Sequence, residues 1–73
     1  MLRITQTDMV LRHMEIFGEI TPSVALSEYG IQRLASRIFD LERRGVRVNS
    51  RMYAGVNKNG IPVRYAVYSL AED

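Results

Sequence analysis

Gly18, Gly30, Gly45 and Gly60 close four short stretches of patterned sequence, and that punctuation limits what the chain can become. Between the glycines there is room for small helices and a hairpin, and for no long bundle or repeat. The chain has 73 residues, the size of one small domain spanning residues 1–73. A core of that size supplies only about 3–5 kcal/mol net, so every element must share it or a second subunit must contribute.

The first stretch reads as a helix from about Gln6 to Phe17. Thr5 and Asp8 have capping-box spacing, with Asp as a shorter substitute for Glu. At 100° per residue Val10, Met14 and Phe17 share one face, with Leu11 and His13 at its edges. Asp8, Arg12 and Glu15 lie opposite. Gly18 ends the helix. Glu19-Ile20-Thr21 is extended, one rung of a sheet. Thr21-Pro22 then reads as N-cap and first helical residue. A short second helix, about Pro22 to Glu28, points Ala25 and Leu26 inward. Gly30 supplies the left-handed residue that terminates it.

A third helix is expected from about Ile31 to Arg44. Leu34, Ile38 and Leu41 form its buried stripe, joined by Ile31 from the first turn. Gln32, Ser36, Asp40 and Arg43 occupy the opposite arc, with Arg33 at its border. Arg37 lies against the stripe, and Phe39 near the other edge.

The remainder reads as a hairpin rich in β-branched and aromatic residues. A two-residue Asn59-Gly60 turn would put Val48 opposite Ala71. A three-residue Lys58-Asn59-Gly60 loop with Gly60 left-handed puts Val48 opposite Leu70, Met52 opposite Ala66 and Tyr53 opposite Tyr65. The second register is preferred, because it gathers Val48, Met52, Ala66, Tyr68 and Leu70 on one core face. Tyr53, Tyr65 and Val67 then line the outer face, and Pro62 sits near the tip.

Helix, short strand, short helix, tight turn, longer helix and hairpin make an α+β fold on the winged helix-turn-helix plan, three helices with a C-terminal β-hairpin wing. The same residues resemble a family, the small winged helix-turn-helix proteins of bacteriophages and prophages. Its pattern is I-T-P-x-E-A-L, a Tyr/Phe-Gly-Ile turn, R-L-A-x-R-I-x-x-L, then Gly and the wing. Here it is carried by Ile20-Thr21-Pro22, Ala25-Leu26, Tyr29-Gly30-Ile31, Arg33-Leu34-Ala35, Arg37-Ile38, Leu41, Gly45 and Tyr68-x-Leu70. One position departs from it. Val24 stands where the family has the Glu that completes a capping box, so the reciprocal bond to Thr21 is lost and Val24 is free to pack inward or meet a partner. The resemblance implies a DNA-binding transcriptional regulator.

Charge points the same way. Residues 1–30 hold two arginines against four carboxylates, whereas residues 31–69 hold seven arginines and one lysine against two carboxylates. Arginine makes forked contacts to phosphate and guanine that lysine cannot. Gln32, Arg33 and Ser36 are the candidates for base edges of double-stranded DNA. Arg37 is a candidate for either DNA or an ion pair with Glu28, Glu42 or the first helix. Arg43 comes too late in the helix for bases and, like neighbouring Arg44, would meet phosphate if anything. Arg51, Lys58, Asn59 and Arg64 are the wing candidates for phosphate.

The competing reading is a protein-interaction module, because winged helices are reused to bind proteins. Phe39, Tyr53 and Tyr65 would carry it, as the seam of a homodimer or as a surface for a host or phage protein. Homodimerisation is compatible with DNA binding too. The alternative for these residues is local: Phe39 under the wing, and the tyrosines on each other.

Other functions find no support in the residues. There is no cysteine and one histidine, so thiolate and histidine metal sites are not expected. His13 with Asp8 or Glu15 makes no catalytic set, and no glycine loop precedes a helix to cradle phosphates, so neither catalysis nor a cofactor is expected. No apolar run reaches a membrane span, and the N-terminus lacks signal-peptide features, so a cytoplasmic protein is expected.

Overall fold

The computed structural model describes residues 4–71. Residues 1–3 and 72–73 of the expected domain lie outside the described residues. The elements run α1 (Gln6–Phe17), β1 (Glu19–Ile20), α2 (Pro22–Tyr29), α3 (Leu34–Arg43), β2 (Val48–Val56) and β3 (Pro62–Leu70). The three strands form one antiparallel sheet in the order β1-β3-β2. This is the expected α+β, winged helix-turn-helix arrangement.

The first helix starts where its capping box says it should. Thr5 Oγ1 accepts from the Asp8 amide at 3.2 Å, and Asp8 Oδ2 accepts from the Thr5 amide at 3.0 Å. At α2 only half of such a box exists. Thr21 Oγ1 accepts from the Val24 amide at 3.3 Å, and Val24 packs against the core in place of a reciprocal bond.

The tight turn sets the largest departure from the expected elements. Gly30 adopts φ 68°, the left-handed region. Its N–H donates to Leu26 O and the following Ile31 N–H to Ala25 O. Ile31 is thereby tied back to α2 while its side chain drops into the core. A residue committed to the preceding helix cannot open the next one. Helix α3 therefore begins at Leu34, not at Ile31, and ends at Arg43. Gln32 and Arg33 belong to the turn and the N-cap.

Val10, Met14, Ile20, Ala25, Ile31, Leu34, Ile38 and Leu41 make one core, sealed by Val48, Tyr68 and Leu70 from the sheet. Four expected positions differ. Phe17 shares the α1 face but sits past its covered part, so it is exposed and its ring leans on His13 at 4.6 Å. Leu26 is exposed, because α2 buries Ala25 and flanks it with Val24 and Tyr29. Met52 is on the body-side face of the hairpin, yet 58% exposed, because that part of the wing runs beyond the helices. Val67 lies on the outer face and is nonetheless buried. It occupies the middle strand, and the register puts Arg51 beside it on β2 and Glu19 one step along on β1. The Arg51–Glu19 bridge therefore crosses the sheet over that strand, at 3.0 Å.

The hairpin has the preferred register, from Val48 opposite Leu70 to Val56 opposite Pro62. Gly60 has φ 78°. Asn57 Oδ1 holds the loop by accepting from the amides of Asn59 and Ile61 at 2.9 and 3.0 Å.

Candidate nucleic-acid interface

Gln32, Arg33, Ser36 and Arg37 come together around one shallow recess at the start of α3, bounded by Gly30 and by Gln6 from α1. The turn delivers Gln32 and Arg33 from one side, and the first turn of α3 delivers Ser36 and Arg37 from the other. Arg33 is the N-cap and provides no side-chain cap. The first amides of α3 thus carry the positive end of the helix dipole toward the recess, an arrangement that suits phosphate oxygens.

The arginines of this recess have different surroundings. Arg33 is exposed, and no carboxylate among the described residues lies within ion-pair distance of it. Arg37 is held. Its Nε lies 3.1 Å from Asp40 Oδ2, buried and not aligned to donate, so this contact is an ion pair without a hydrogen bond. Its Nη1 donates to Gln6 Oε1 at 3.3 Å. Asp40 in turn accepts from Thr7 Oγ1 at 3.2 Å. Thr7, Asp40, Arg37 and Gln6 so form a polar chain that fixes the N-terminal half of α1 to α3. The ion-pair partner is Asp40, not Glu28 or Glu42.

Farther along α3, Arg43 stacks its guanidinium over the Phe39 ring at 5.9 Å. Phe39 remains 59% exposed, so it is not tucked under the wing. Arg44 donates to Asp8 Oδ1 at 3.0 Å, a second link between α3 and α1. The Thr5 amide, then Arg44, hold the Asp8 carboxyl below the usual carboxylate range.

The wing candidates are dispersed. Lys58 and Asn59 are exposed in the loop at the tip. Arg64 is exposed on the body-side face, opposite Ala54, the same side of the sheet as α3. Arg51 points from the other face and is paired with Glu19. Arg51 and Arg64 consequently cannot grip the same strand edge. Tyr53 and Tyr65 pack on each other, ring centroids 4.9 Å apart, on the outer face.

Sequence reasoning missed two contributors. Gln6 enters the recess although it lies in the first helix, and no local signal marks it. His13 is buried and shares a 2.7 Å hydrogen bond with Tyr29 Oη, pinning the end of α2 to α1 just before the turn. Among the described residues no three acidic or histidine side chains gather as a metal site, and no helix is long and apolar enough to cross a membrane.

Residues 5–73 match the winged helix-turn-helix domain family. The chain belongs to that family. No curated protein matches the chain. In a winged helix-turn-helix the helix after the tight turn is the one that enters the major groove, and DNA is the partner the fold suggests. That helix is α3, and its leading end is the recess that gathers four of the sequence-derived candidates.

Proposed function

We propose that this winged helix-turn-helix binds double-stranded DNA as a small transcriptional regulator of the phage or prophage type. The N-terminal end of α3 enters the major groove. Gln32, Arg33 and Ser36 face base edges, where Gln pairs with adenine and Arg with guanine. Lys58, Asn59 and Arg64 contact the backbone from the wing. Arg43 is placed for phosphate only, and Arg51 would first have to leave Glu19. Such a protein works without cofactor or catalysis, in the cytoplasm where its DNA lies, as one domain.

The observation that carries this reading is the recess at the start of α3. It joins a helix end without a side-chain cap to exposed Gln32 and to an exposed Arg33 that has no ion-pair partner among the described residues. The test is selection of bound sequences from a random duplex pool, followed by anisotropy titrations over a range of salt. Affinity should fall steeply with salt as phosphate contacts release counterions. Gln32→Ala should alter the selected sequence, whereas Lys58→Ala should weaken all duplexes alike. Absence of binding to any duplex at low salt would sink the proposal.

Phe39 supports a second reading. It is a large ring, mostly exposed, on the helix that would have to slide into a groove, and the stacked Tyr53 and Tyr65 add a second partly exposed aromatic surface. A protein-binding module, acting on a host or phage protein, would use these residues. Its complex would survive high salt and be lost on Phe39→Ala.

A further inference from the structure

One charge on α3 is out of keeping with the outer arc of a helix that meets DNA. Asp40 lies one turn beyond Ser36 and one turn before Arg43 and Arg44, with which it lines a second shallow recess. Phosphate repels a carboxylate in that place. Asp40 also braces Arg37, but the bracing uses only one of its oxygens. Oδ2 accepts from the buried Thr7 hydroxyl at 3.2 Å and lies 3.1 Å from Arg37 Nε. Oδ1 makes no hydrogen bond or ion pair among the described residues. One oxygen is thus anchored through α1, and the other is left unpartnered on a side chain 36% exposed.

Such a carboxylate is an oriented acceptor that cannot donate. In the major groove guanine shows only acceptors, adenine an acceptor beside its amine, and thymine an acceptor and a methyl group. Cytosine alone offers a donor, its 4-amino group, with no acceptor on its own edge. Acceptor against acceptor is repulsive, so a carboxylate rejects the other three bases as well as favouring cytosine. Arg37, Arg43 and Arg44 outnumber Asp40 and Asp8 around this part of α3. The local charge stays positive, and the carboxylate can approach a duplex.

We propose that Asp40 selects cytosine, accepting from its 4-amino group through Oδ1, and that Thr7 is the residue that positions it. The proposal rests on the reading of α3 as the helix that enters the major groove. It adds a base contact one turn beyond those of Gln32, Arg33 and Ser36.

Selection from a random duplex pool, run in parallel with the unaltered chain and Asp40→Asn, tests it. The unaltered chain should select cytosine at one position that Asp40→Asn leaves degenerate, with the rest of the site unchanged. In anisotropy titrations, replacing that cytosine pair should weaken the unaltered chain roughly 5- to 150-fold in Kd and Asp40→Asn less than about threefold. Unrelated duplexes should bind Asp40→Asn more tightly, because a negative charge has left the surface. A residue that only braced Arg37 would leave sequence preference alone. Thr7→Val keeps the side-chain shape and removes the hydroxyl, so it should shrink the cytosine preference while other positions keep theirs; an unchanged preference would overturn the positioning role. A further measurement needs no variant. A site in which that cytosine is replaced by an analogue lacking the 4-amino group should bind the unaltered chain as weakly as the replaced pair. The same selected sequence for the unaltered chain and Asp40→Asn, or indifference to the missing amino group, would overturn the assignment and leave DNA binding standing. No binding to any duplex would overturn both.

Discussion

Arg33 and Arg37 lie four residues apart in sequence and line the same recess, yet they should respond differently to removal. Arg37→Ala deletes an ion pair to Asp40 and a hydrogen bond to Gln6. A charged hydrogen bond is worth about 1.5–3 kcal/mol when well made and shielded. Here the donor distance is long at 3.3 Å, and the side chains of Arg37 and Asp40 are 30% and 36% exposed, so solvent screens much of both terms. Exposed pairs contribute about 0–1 kcal/mol. The two contacts together therefore stabilise by about 1 kcal/mol, a fall in Tm of roughly 4–8 °C for a domain of this size. Asp40 keeps its bond from Thr7, so the loss should not spread. Arg33→Ala removes no side-chain hydrogen bond or ion pair among the described residues and should leave stability within about 0.5 kcal/mol. If Arg33 reads a base, its loss should cost about 1–3 kcal/mol of binding, roughly 5- to 150-fold in Kd. Thermal melts and duplex anisotropy in one buffer measure both quantities. The reasoning fails if Arg33→Ala lowers Tm as much as Arg37→Ala, or if Arg37→Ala leaves Tm unchanged while abolishing DNA binding.

Two more outcomes follow from single contacts. Tyr29→Phe should strip the buried His13 of its partner and destabilise by about 1–3 kcal/mol in urea unfolding, with no change in secondary structure; an unchanged midpoint would show that the bond contributes nothing net. Asp8 has a depressed folded-state pKa, so its stabilisation is present above the ordinary carboxylate value of 3.8 and is lost as pH falls through the folded one. Asp8→Asn should accordingly be less stable than the parent at pH 7, and the gap should narrow in acid; a gap that widens in acid would contradict the assigned bonds.

Much of the fold was legible because its signals are local. Thr5 and Asp8 are one turn apart, and their reciprocal bonds form within the first turn of α1 whatever else the chain does. Gly30 marked its corner because few other residues tolerate a left-handed backbone. The hairpin register followed from loop length and from the side-chain alternation that only one pairing turns to the core. The recess was legible in part. Gln32, Arg33, Ser36 and Arg37 are close in sequence, so any helix near that place would bring them together.

What the sequence by itself determined was the order of elements, their caps and the pairing of β2 with β3, because each depends on residues a few positions apart or on one loop. Tertiary structure alone decided the rest. It decided that Ile31 belongs to the core and not to α3, that Arg37 is held by Asp40 and Gln6, and that Arg51 spends its charge on Glu19. It also decided that Phe17, Leu26 and Met52 stay exposed although each lies in an apolar pattern. Periodicity assigns a residue to a face of its element. Whether that face is covered at that level depends on how far the neighbouring element reaches, and a charged side chain takes whichever partner packing brings within about 3–4 Å.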